Sequence, residues 1–300
     1  MTAPPVNPAS AHPDGPRHVL SFDVEEYFQA EAASVPPRRW SEFPSRLQPA
    51  VERILQVLAD HSVRATFFTL GGFAKAVPGL IRMVASAGHE IASHGMSHRM
   101  LTRLSPAELR QELTDSRKSL EDVAGQRVEG YRAPTFSITH ATAWGLDVLA
   151  ECGYRYDSSV FPVHHDRYGV PDAPRWPHLA IGPGGGQIIE WPPLTLRALR
   201  VNWPVGGGGY LRLLPVRILA RALTIAQQHG AGGMIYLHPW EFDPAQPVLP
   251  MSRLSRFRHR VNLHRTEAKL TWLLQRFRFT SAAACLNGLA KADLPTFRYG

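Results

Sequence analysis

Two acidic residues stand at the end of the first apolar segment of the chain. The run His18–Phe22 is strand-like, and Asp23 and Glu25 follow at its end. Side chains two residues apart on a strand point to the same side, so Asp23 and Glu25 face together. A carboxylate pair at a strand end suits one metal ligand and one general base. Surface acids are the alternative for this pair taken alone.

Two histidines follow another short strand-like run. His94 and His98 come directly after His89–Ser93. Histidines four residues apart lie on one face of a helical turn and can hold one metal ion together. This spacing also arises by chance in a chain with 14 histidines, but the position at a strand end favours a metal site.

Two further strand ends carry an arginine and a histidine. Arg132 ends the run Val128–Arg132, and Pro134 stiffens the turn after it. The fixed fork of guanidinium donors could orient a carboxylate, and a backbone N–H of the rigid turn could face an oxyanion. His238 ends the apolar run Met234–His238 and is well placed to be a general acid. A buried core histidine is the alternative for His238.

A fourth motif contains an aspartate followed by two serines. Asp157 lies there, shortly after a helical run that stops at Gly153. We expect its carboxylate to support Arg132 from behind the reacting groups, because arginine prefers carboxylate partners. A capping or turn aspartate is the alternative.

The elements that must position these residues alternate between strands and helices. Val51–His61 has apolar residues at helix spacing, and residues 105–108 open a helix with a capping box that stops at Gly125. Thr139–Cys152 and Pro215–His229 are predicted helices as well. Repeated β-α units imply an α/β fold with a parallel sheet, and the pattern leaves an open sheet and a barrel as alternatives. In both, functional side chains gather at the carboxyl ends of the strands.

The composition is that of an ordinary globular chain. It has 300 residues, 44% hydrophobic and 19% charged. Residues 1–16 are rich in Pro, Ala and Ser and lack the features of a signal peptide, so we predict a disordered lead-in. No apolar run of about 18 residues is present, so we expect no membrane span and a cytoplasmic location. Two cysteines are too few for a disulfide framework or a cysteine-built zinc site.

Positive charge is concentrated near the carboxyl end of the chain. Residues 251–300 contain ten Lys or Arg and two acidic residues, whereas the first 250 residues contain 23 of each kind. Such a segment could contact an anionic membrane peripherally, or it could be a solvated basic surface. No nucleic-acid-binding motif is present, so we expect no nucleic-acid partner.

Taken together, the motifs resemble the polysaccharide deacetylase family, the NodB-type deacetylases of carbohydrate esterase family 4. The resemblance implies a distorted (β/α) barrel in a NodB-like domain over residues 17–244. The Asp-Val-Glu-Glu-Tyr-Phe opening and the glycine-rich segment 207–215 resemble the exosortase-associated branch, which implies a basic C-terminal extension, residues 245–300, packed on the same domain. The residues that carry the family resemblance are Phe22-Asp23, His94-x-x-x-His98, Arg132-x-Pro134, Asp157 and Leu237-His238.

This resemblance implies a metal-dependent hydrolase that removes N-acetyl groups from amino-sugar units of a polysaccharide, in exopolysaccharide biosynthesis. Most members carry two adjacent aspartates, but here the second position is Val24. A minority pattern, with the acid one residue later, makes Glu25 the metal ligand. Glu25, His94 and His98 would then hold a divalent ion, Zn²⁺ first and Co²⁺ or Ni²⁺ as alternatives.

The remaining catalytic roles also follow from the resemblance. Asp23 would take a proton from water, and His238 would protonate the leaving amine. Arg132 would orient Asp23, and Asp157 would steady Arg132. A backbone N–H near Thr135 would hold the oxyanion.

The expected partner is an N-acetylated polysaccharide or oligosaccharide. Trp191 and Trp240 are candidate aromatic walls for a sugar ring, with core packing as the alternative. Two alternative hypotheses remain for the function. The protein could be a metal-independent amidohydrolase that opens a cyclic imide or ureide, or a non-catalytic glycan-binding protein. The two retained histidines, His94 and His98, argue against the first, and the complete set of acid, base and ligands argues against the second.

Overall fold

The computed structural model describes residues 17–30, 33, 35–165, 167–289 and 291–300, so the predicted lead-in 1–16 lies outside the described residues. The strands are β1 (His18–Val24), β2 (Thr66–Thr69), β3 (Glu90–Ser93), β4 (Gly130–Tyr131), β5 (Tyr156–Asp157), β6 (His178–Ile181), β7 (Gln187–Glu190), β8 (Thr195–Ala198), β9 (Val201–Pro204), β10 (Met234–Leu237), β11 (Phe279–Thr280) and β12 (Thr296–Arg298). The helices are α1 (Leu47–Asp60), α2 (Phe73–Ala76), α3 (Pro78–Ser86), α4 (Pro106–Ala124), α5 (Trp144–Glu151), α6 (Gly208–Leu213), α7 (Val216–Gln228), α8 (Arg253–Arg260), α9 (Thr266–Leu274) and α10 (Ala282–Leu286).

The main sheet closes into a barrel. Its strands run in the order β10-β1-β2-β3-β4-β5-β7, and each neighbouring pair is parallel. The chain that leaves β7 then pairs with β10, where Pro193 bridges Met234 and the Leu194 N–H donates to the Met234 carbonyl at 2.9 Å. The sheet therefore returns to its first strand. The predicted distorted (β/α) barrel is confirmed, and the alternative of an open sheet is not found.

Segments beyond residue 245 add to the same sheet. β11 lies beside the first half of β1, where His18 pairs with Phe279, and β12 pairs with β6, which itself runs antiparallel to β7. Helix α9 contacts α6 and α7. These contacts attach the basic segment to the barrel through both strands and helices. Within the described part of the chain, no helix is long and apolar enough to cross a bilayer.

Local sequence signals explain several helix boundaries. In α4, the Ser105 hydroxyl accepts from the Glu108 N–H, the Glu108 carboxylate accepts from the Ser105 N–H, and Gly125 ends the helix at φ 66°. The helix predicted over Thr139–Cys152 is shorter, because Thr139 caps a 3₁₀ turn and α5 begins only at Trp144.

The strands of the barrel end at one edge, where the candidate residues follow them. Phe22 of β1 is in register with Phe67 of β2 and Leu237 of β10, and Thr69 of β2 is in register with Ser93 of β3. The apolar inner faces of the surrounding helices pack against the strands in a large buried core, and further strand residues form a second apolar cluster. A rigid barrel thus presents the residues after β1, β3, β4 and β10 to a common space.

Candidate active site

The end of β1 supplies two buried carboxylates, as strand alternation predicts. Asp23 and Glu25 both face the barrel mouth, with Asp23 next to Arg132 and Glu25 next to His94. Glu26 points elsewhere and accepts from the Ser45 hydroxyl and the Arg46 N–H. Residue 24 is a core valine, so it cannot serve as a ligand.

One oxygen of Glu25 faces two imidazoles. Glu25 Oε1 lies 2.9 Å from His94 Nε2 and 2.9 Å from His98 Nε2, and the three donor atoms lie within 4.8 Å of one another. Burial alone raises the pKa of Glu25, but the charge of His98 and the hydrogen bonds of both histidines outweigh it and hold the pKa well below its usual value. The carboxylate is therefore ionised.

The donor set fits a divalent cation. His94 Nδ1 lies 2.8 Å from the Arg132 carbonyl, which can only accept, so Nδ1 carries the proton. In neutral His94, the Nε2 lone pair then faces the anionic oxygen of Glu25, and this repulsion is relieved by a proton or by a metal ion. Two imidazole nitrogens and one carboxylate oxygen, with the first imidazole oriented by a backbone carbonyl, form a typical zinc donor set.

The turn between the two histidines differs from the helical turn that we predicted. Residues 94–98 form a bent loop, with Gly95 at φ 81° and His98 at φ 61°. The Glu112 carboxylate of α4 holds this loop by accepting from the N–H groups of Met96 (2.8 Å) and Ser97 (3.0 Å). The loop thus brings both imidazoles to one point without helical geometry.

Arg132 is fully buried and holds Asp23. Its Nη1 donates to Asp23 Oδ1 at 2.6 Å and to Ser21 Oγ at 3.0 Å, and its guanidinium also donates to the carbonyl and hydroxyl of Ser158. The guanidinium carbon lies 4.0 Å above the ring centroid of Phe68. These contacts fix the carboxylate of Asp23, and the orienting role of Arg132 in catalysis stays a prediction.

The predicted contact between Asp157 and Arg132 is wrong. Ser158 occupies that position, and the Asp157 carboxylate instead accepts from Ser159 and adjoins the carboxyl of Glu190. Neighbouring side chains of an extended segment point to opposite sides, so only one of Asp157 and Ser158 can face Arg132. Burial raises the pKa of Asp157 to about 6 and that of Glu190 well above its usual value, so the two carboxyls share a proton.

His238 lies on the other side of Asp23. Its Nε2 is 3.9 Å from Asp23 Oδ2, and its Nδ1 is 2.8 Å from Glu241 Oε1. Burial alone lowers the pKa of His238, but the hydrogen bond with Glu241 and the charges of Glu25, Glu241 and Asp23 outweigh it and raise the pKa to about 9. A protonated imidazole therefore faces the carboxylate cluster at neutral pH.

Thr135 lies in the turn that follows Arg132. Thr135 and Phe136 have φ angles of 57° and 50°, a region that β-branched and bulky residues avoid. Such strain costs about 1–3 kcal/mol and is common at functional sites. The turn is thus held in one unusual conformation next to the site.

The prediction that Trp191 and Trp240 stack on a sugar ring is wrong for both residues. Trp191 is 2% exposed, lies in the apolar core and donates its indole N–H to the Gly232 carbonyl. Trp240 is stacked between His238 and His259, with ring centroids 5.1 Å and 4.4 Å away, so both ring faces are covered. Neither ring offers a free face to a sugar, because each completes protein packing.

Sequence reasoning missed Glu241, Ser158 and Arg212, which hold residues of the site in place. Glu241 lies three residues after His238, and this His-x-x-Glu spacing at a helix start was a usable capping signal. Ser158 stands beside the aspartate that we chose, and strand alternation could have assigned it. Arg212 had no local signal, because its partner Glu241 is distant in sequence.

The family comparisons agree with a deacetylase-type barrel. Residues 40–156 match the family "Polysaccharide deacetylase", and residues 158–287 match a domain of unknown function, DUF3473. The part of the chain from residue 40 to residue 156 is therefore a polysaccharide deacetylase domain by its sequence. The two matched ranges meet at β5, so both supply strands to one barrel.

Curated relatives align with only part of the chain. The chitooligosaccharide deacetylase of Rhizobium leguminosarum bv. trifolii is 35% identical over 116 residues, which are 37% of this chain and 48% of the relative. The peptidoglycan deacetylase of Helicobacter pylori is 27% identical over 116 residues, 39% of this chain and 38% of the relative. The chain thus spans less than half the length of these relatives.

A solved structure covers nearly the whole chain. A Mycobacterium smegmatis protein whose structure is assigned to the polysaccharide deacetylases superposes with a TM-score of 0.61, at 20% identity, over 99% of this chain and 96% of the other. This likeness concerns the fold.

Proposed function

We propose that this protein removes acetyl groups from N-acetylated amino-sugar units of an oligosaccharide or polysaccharide. The observation that carries the proposal is the meeting of Glu25, His94 and His98 with an oriented carboxylate, Asp23, and a protonated histidine, His238. The named activities of the Rhizobium and Helicobacter relatives support the same chemistry.

Glu25, His94 and His98 would hold the metal, Zn²⁺ in our proposal, with Co²⁺ or Ni²⁺ as alternatives. When bound, such an ion supplies a Lewis acid for the acetamide carbonyl and lowers the pKa of water toward about 7. Every other step belongs to side chains and backbone groups of the chain.

Asp23 is the general base in this proposal. Its Oδ1 is held by Arg132 at 2.6 Å, which leaves Oδ2 to take a proton from the attacking water. Because Arg132 is itself held by Ser21 and Ser158, the carboxylate cannot rotate away from the site. The orientation is fixed before the substrate arrives.

His238 is the general acid on the opposite side. Its Nε2 proton passes to the sugar nitrogen as the carbon–nitrogen bond breaks, so the products are acetate and a free amino sugar. In this proposal, a backbone N–H of the Thr135 turn holds the developing oxyanion. Asp157 has no part in these steps, because its carboxylate pairs with Ser159 and Glu190.

Two other functions predict different behaviour. A cyclic-imide amidohydrolase would act after metal removal, and a glycan-binding protein would bind without releasing acetate. Acetate release from N-acetylglucosamine oligomers, measured before chelation, after chelation and after Zn²⁺ is added back, tests the proposal against both, because neither alternative releases acetate in a metal-dependent way. We expect activity that chelation abolishes and Zn²⁺ restores; activity that survives chelation would contradict the proposal.

We further propose that the basic segment meets an anionic membrane peripherally. On α8, Leu254 and Phe257 are 58% and 57% exposed among arginines, and each basic residue near such a surface contributes about 1 kcal/mol. Co-sedimentation with vesicles that contain phosphatidylglycerol should be lost in Leu254→Ser/Phe257→Ser. It should persist in Leu199→Ser, where an exposed side chain outside α8 is changed. Equal binding of both variants would contradict this contact.

The role in exopolysaccharide biosynthesis and the exosortase-associated branch stay predictions from the sequence resemblance. They concern the source of the polymer, whereas the proposed chemistry requires only an N-acetylated amino sugar.

A further inference from the structure

Glu241 holds the ring of His238 from the side away from Asp23. Its Oε1 lies 2.8 Å from His238 Nδ1 and also accepts from the His238 backbone N–H at 3.2 Å. Glu241 is 0% exposed, so water does not compete for these bonds. An ionised carboxylate only accepts, so Nδ1 carries a proton and the other nitrogen, Nε2, faces Asp23.

The second oxygen of Glu241 is held by a buried arginine. Arg212 Nε donates to Glu241 Oε2 at 2.9 Å, and Arg212 is 2% exposed. Its Nη1 donates to three carbonyls of the C-terminal segment, those of Arg258 (3.3 Å), His259 (3.1 Å) and Val261 (2.8 Å). The cation is therefore fixed by backbone, and Glu241 is kept as a carboxylate by a full set of partners.

The packing around Glu241 leaves no room for it to move. A Cβ at Gly208 would lie 2.0 Å from both Glu241 carboxylate oxygens, so α6 approaches this carboxylate as closely as a glycine permits. On the other side, Trp240 is stacked between His238 and His259. The carboxylate and the imidazole are thus locked in one relative position.

We propose that Glu241 is a positioning residue for the proton donor His238, and that Arg212 and the C-terminal carbonyls hold Glu241 for this role. The inference rests on the deacetylase activity proposed above. As the carbon–nitrogen bond breaks, the Nε2 proton moves to the leaving nitrogen, while Glu241 keeps its charge and stabilises the imidazole through Nδ1–H. The region matched as a domain of unknown function, residues 158–287, thereby supplies the acid half of the site.

Two leaving groups separate this role from a structural one. A sugar amine leaves only when it is protonated, whereas the 4-nitrophenolate of 4-nitrophenyl acetate leaves without an acid. In Glu241→Gln, we expect kcat for N-acetylglucosamine oligomers to fall roughly 10–100-fold at similar KM. Turnover of 4-nitrophenyl acetate should stay within about 3-fold of wild type, since the base and the metal site are intact.

A double-mutant cycle tests whether Glu241 acts through His238. His238→Ala should lose at least as much amide turnover as Glu241→Gln and little ester turnover, and adding Glu241→Gln to it should lower amide turnover no further. Glu90→Gln is the matched control, because Glu90 accepts from Thr66, Tyr156 and Ala283 at the opposite end of β3. It should keep the wild-type ratio of amide to ester turnover.

The outcomes distinguish the inference from the proposed function. Equal losses on amide and ester in Glu241→Gln, or additive losses in the double variant, would overturn the positioning role while the deacetylase assignment stands. A wild type that hydrolyses 4-nitrophenyl acetate but releases no acetate from N-acetylated sugars would overturn the proposed function and the inference together.

Discussion

At the scale of single residues, the site separates metal binding from proton transfer. Glu25 Oε1 faces His94 and His98, whereas Asp23, two residues earlier, faces Arg132 and His238. Strand alternation places both carboxylates on one side, and different neighbours give them different roles. Substitutions at these positions should therefore have separable effects.

Substitution of the general base and substitution of a metal ligand should have different effects on metal content. Asp23→Asn should retain bound metal and lose roughly 10²–10⁴-fold in kcat, because it keeps a polar neighbour for Arg132 but cannot take a proton. His94→Ala should lose both metal and activity. Metal content by plasma emission spectroscopy, with acetate release, checks both; near-normal turnover of Asp23→Asn would show that the base is another group.

The acid should give a basic limb to the pH profile. His238 must be protonated to donate, and its pKa is raised to about 9 by Glu241 and the nearby carboxylates. A cation near Glu25 offsets part of that charge, so kcat should fall as pH rises through a value at or below about 9. The profile of His238→Ala should lack this limb; an unchanged limb would assign it to another group.

Residue types and the alternation of side chains along a strand predicted much of this site. The remaining contacts depend on three-dimensional geometry. The positions of Asp23 and Glu25 follow from a strand end and the period of two. Those of His94 and His98 follow from a strand end, although a bent loop replaces their predicted helical turn. Asp157 was assigned to Arg132 by charge alone, but the direction of the extended chain gives that position to Ser158. Trp191 and Trp240 show that an aromatic residue near a motif can belong to the protein core and not to a sugar-binding surface.

At the scale of elements, close approaches between segments set the position of the acid. Helix α6 packs on the turn that carries Glu241, and the glycine run at its start allows this contact. The sequence alone shows only a glycine-rich segment here, because a glycine requirement for packing has no local pattern.

Two neighbouring glycines of α6 make a matched pair. Gly208→Ala should destabilise the fold by about 1–3 kcal/mol, because its Cβ would lie 2.0 Å from the Glu241 oxygens. Gly209→Ala, whose nearest neighbour is an Arg212 nitrogen at 4.0 Å, should be neutral or stabilising by up to about 1 kcal/mol. Denaturant unfolding checks both; equal stabilities would contradict the packing argument.

The Asp157–Glu190 pair should make stability depend on pH. Burial raises both pKa values, that of Asp157 to about 6, so the folded pair keeps a proton that the unfolded chain releases near pH ~4. The proton therefore stabilises the folded protein fully below that pH, and this stabilisation is lost as pH rises. The free energy of unfolding should fall by on the order of 1–3 kcal/mol between about pH 5 and pH 8.

Replacing Glu190 by glutamine should remove most of this pH dependence of stability. In Glu190→Gln, the side-chain oxygen can still accept from the Val160 N–H, and the amide can donate to Asp157. Urea unfolding at about pH 5 and pH 8 should therefore show a smaller fall than in wild type. Parallel falls in both proteins would contradict a shared proton.

At the scale of the whole molecule, the barrel joins two matched regions into one site. The first region supplies the ligand histidines and Arg132, and the second supplies His238 and Glu241. Repeated β-α units predicted the class of fold, but barrel closure rests on the contact of Pro193 and Leu194 with Met234. That contact joins segments distant in sequence, which periodicity does not report.

The central claim is that Glu25, in place of the usual adjacent aspartate, completes a metal site for deacetylation. The most direct measurement is the metal content of the wild type beside Glu25→Ala, paired with acetate release from N-acetylglucosamine oligomers. Glu26→Ala is the control, since Glu26 is also buried but faces Ser45 and Arg46. The account predicts about one zinc per chain in wild type and control, with metal and acetate release both lost in Glu25→Ala. Full metal content and activity in Glu25→Ala would contradict it.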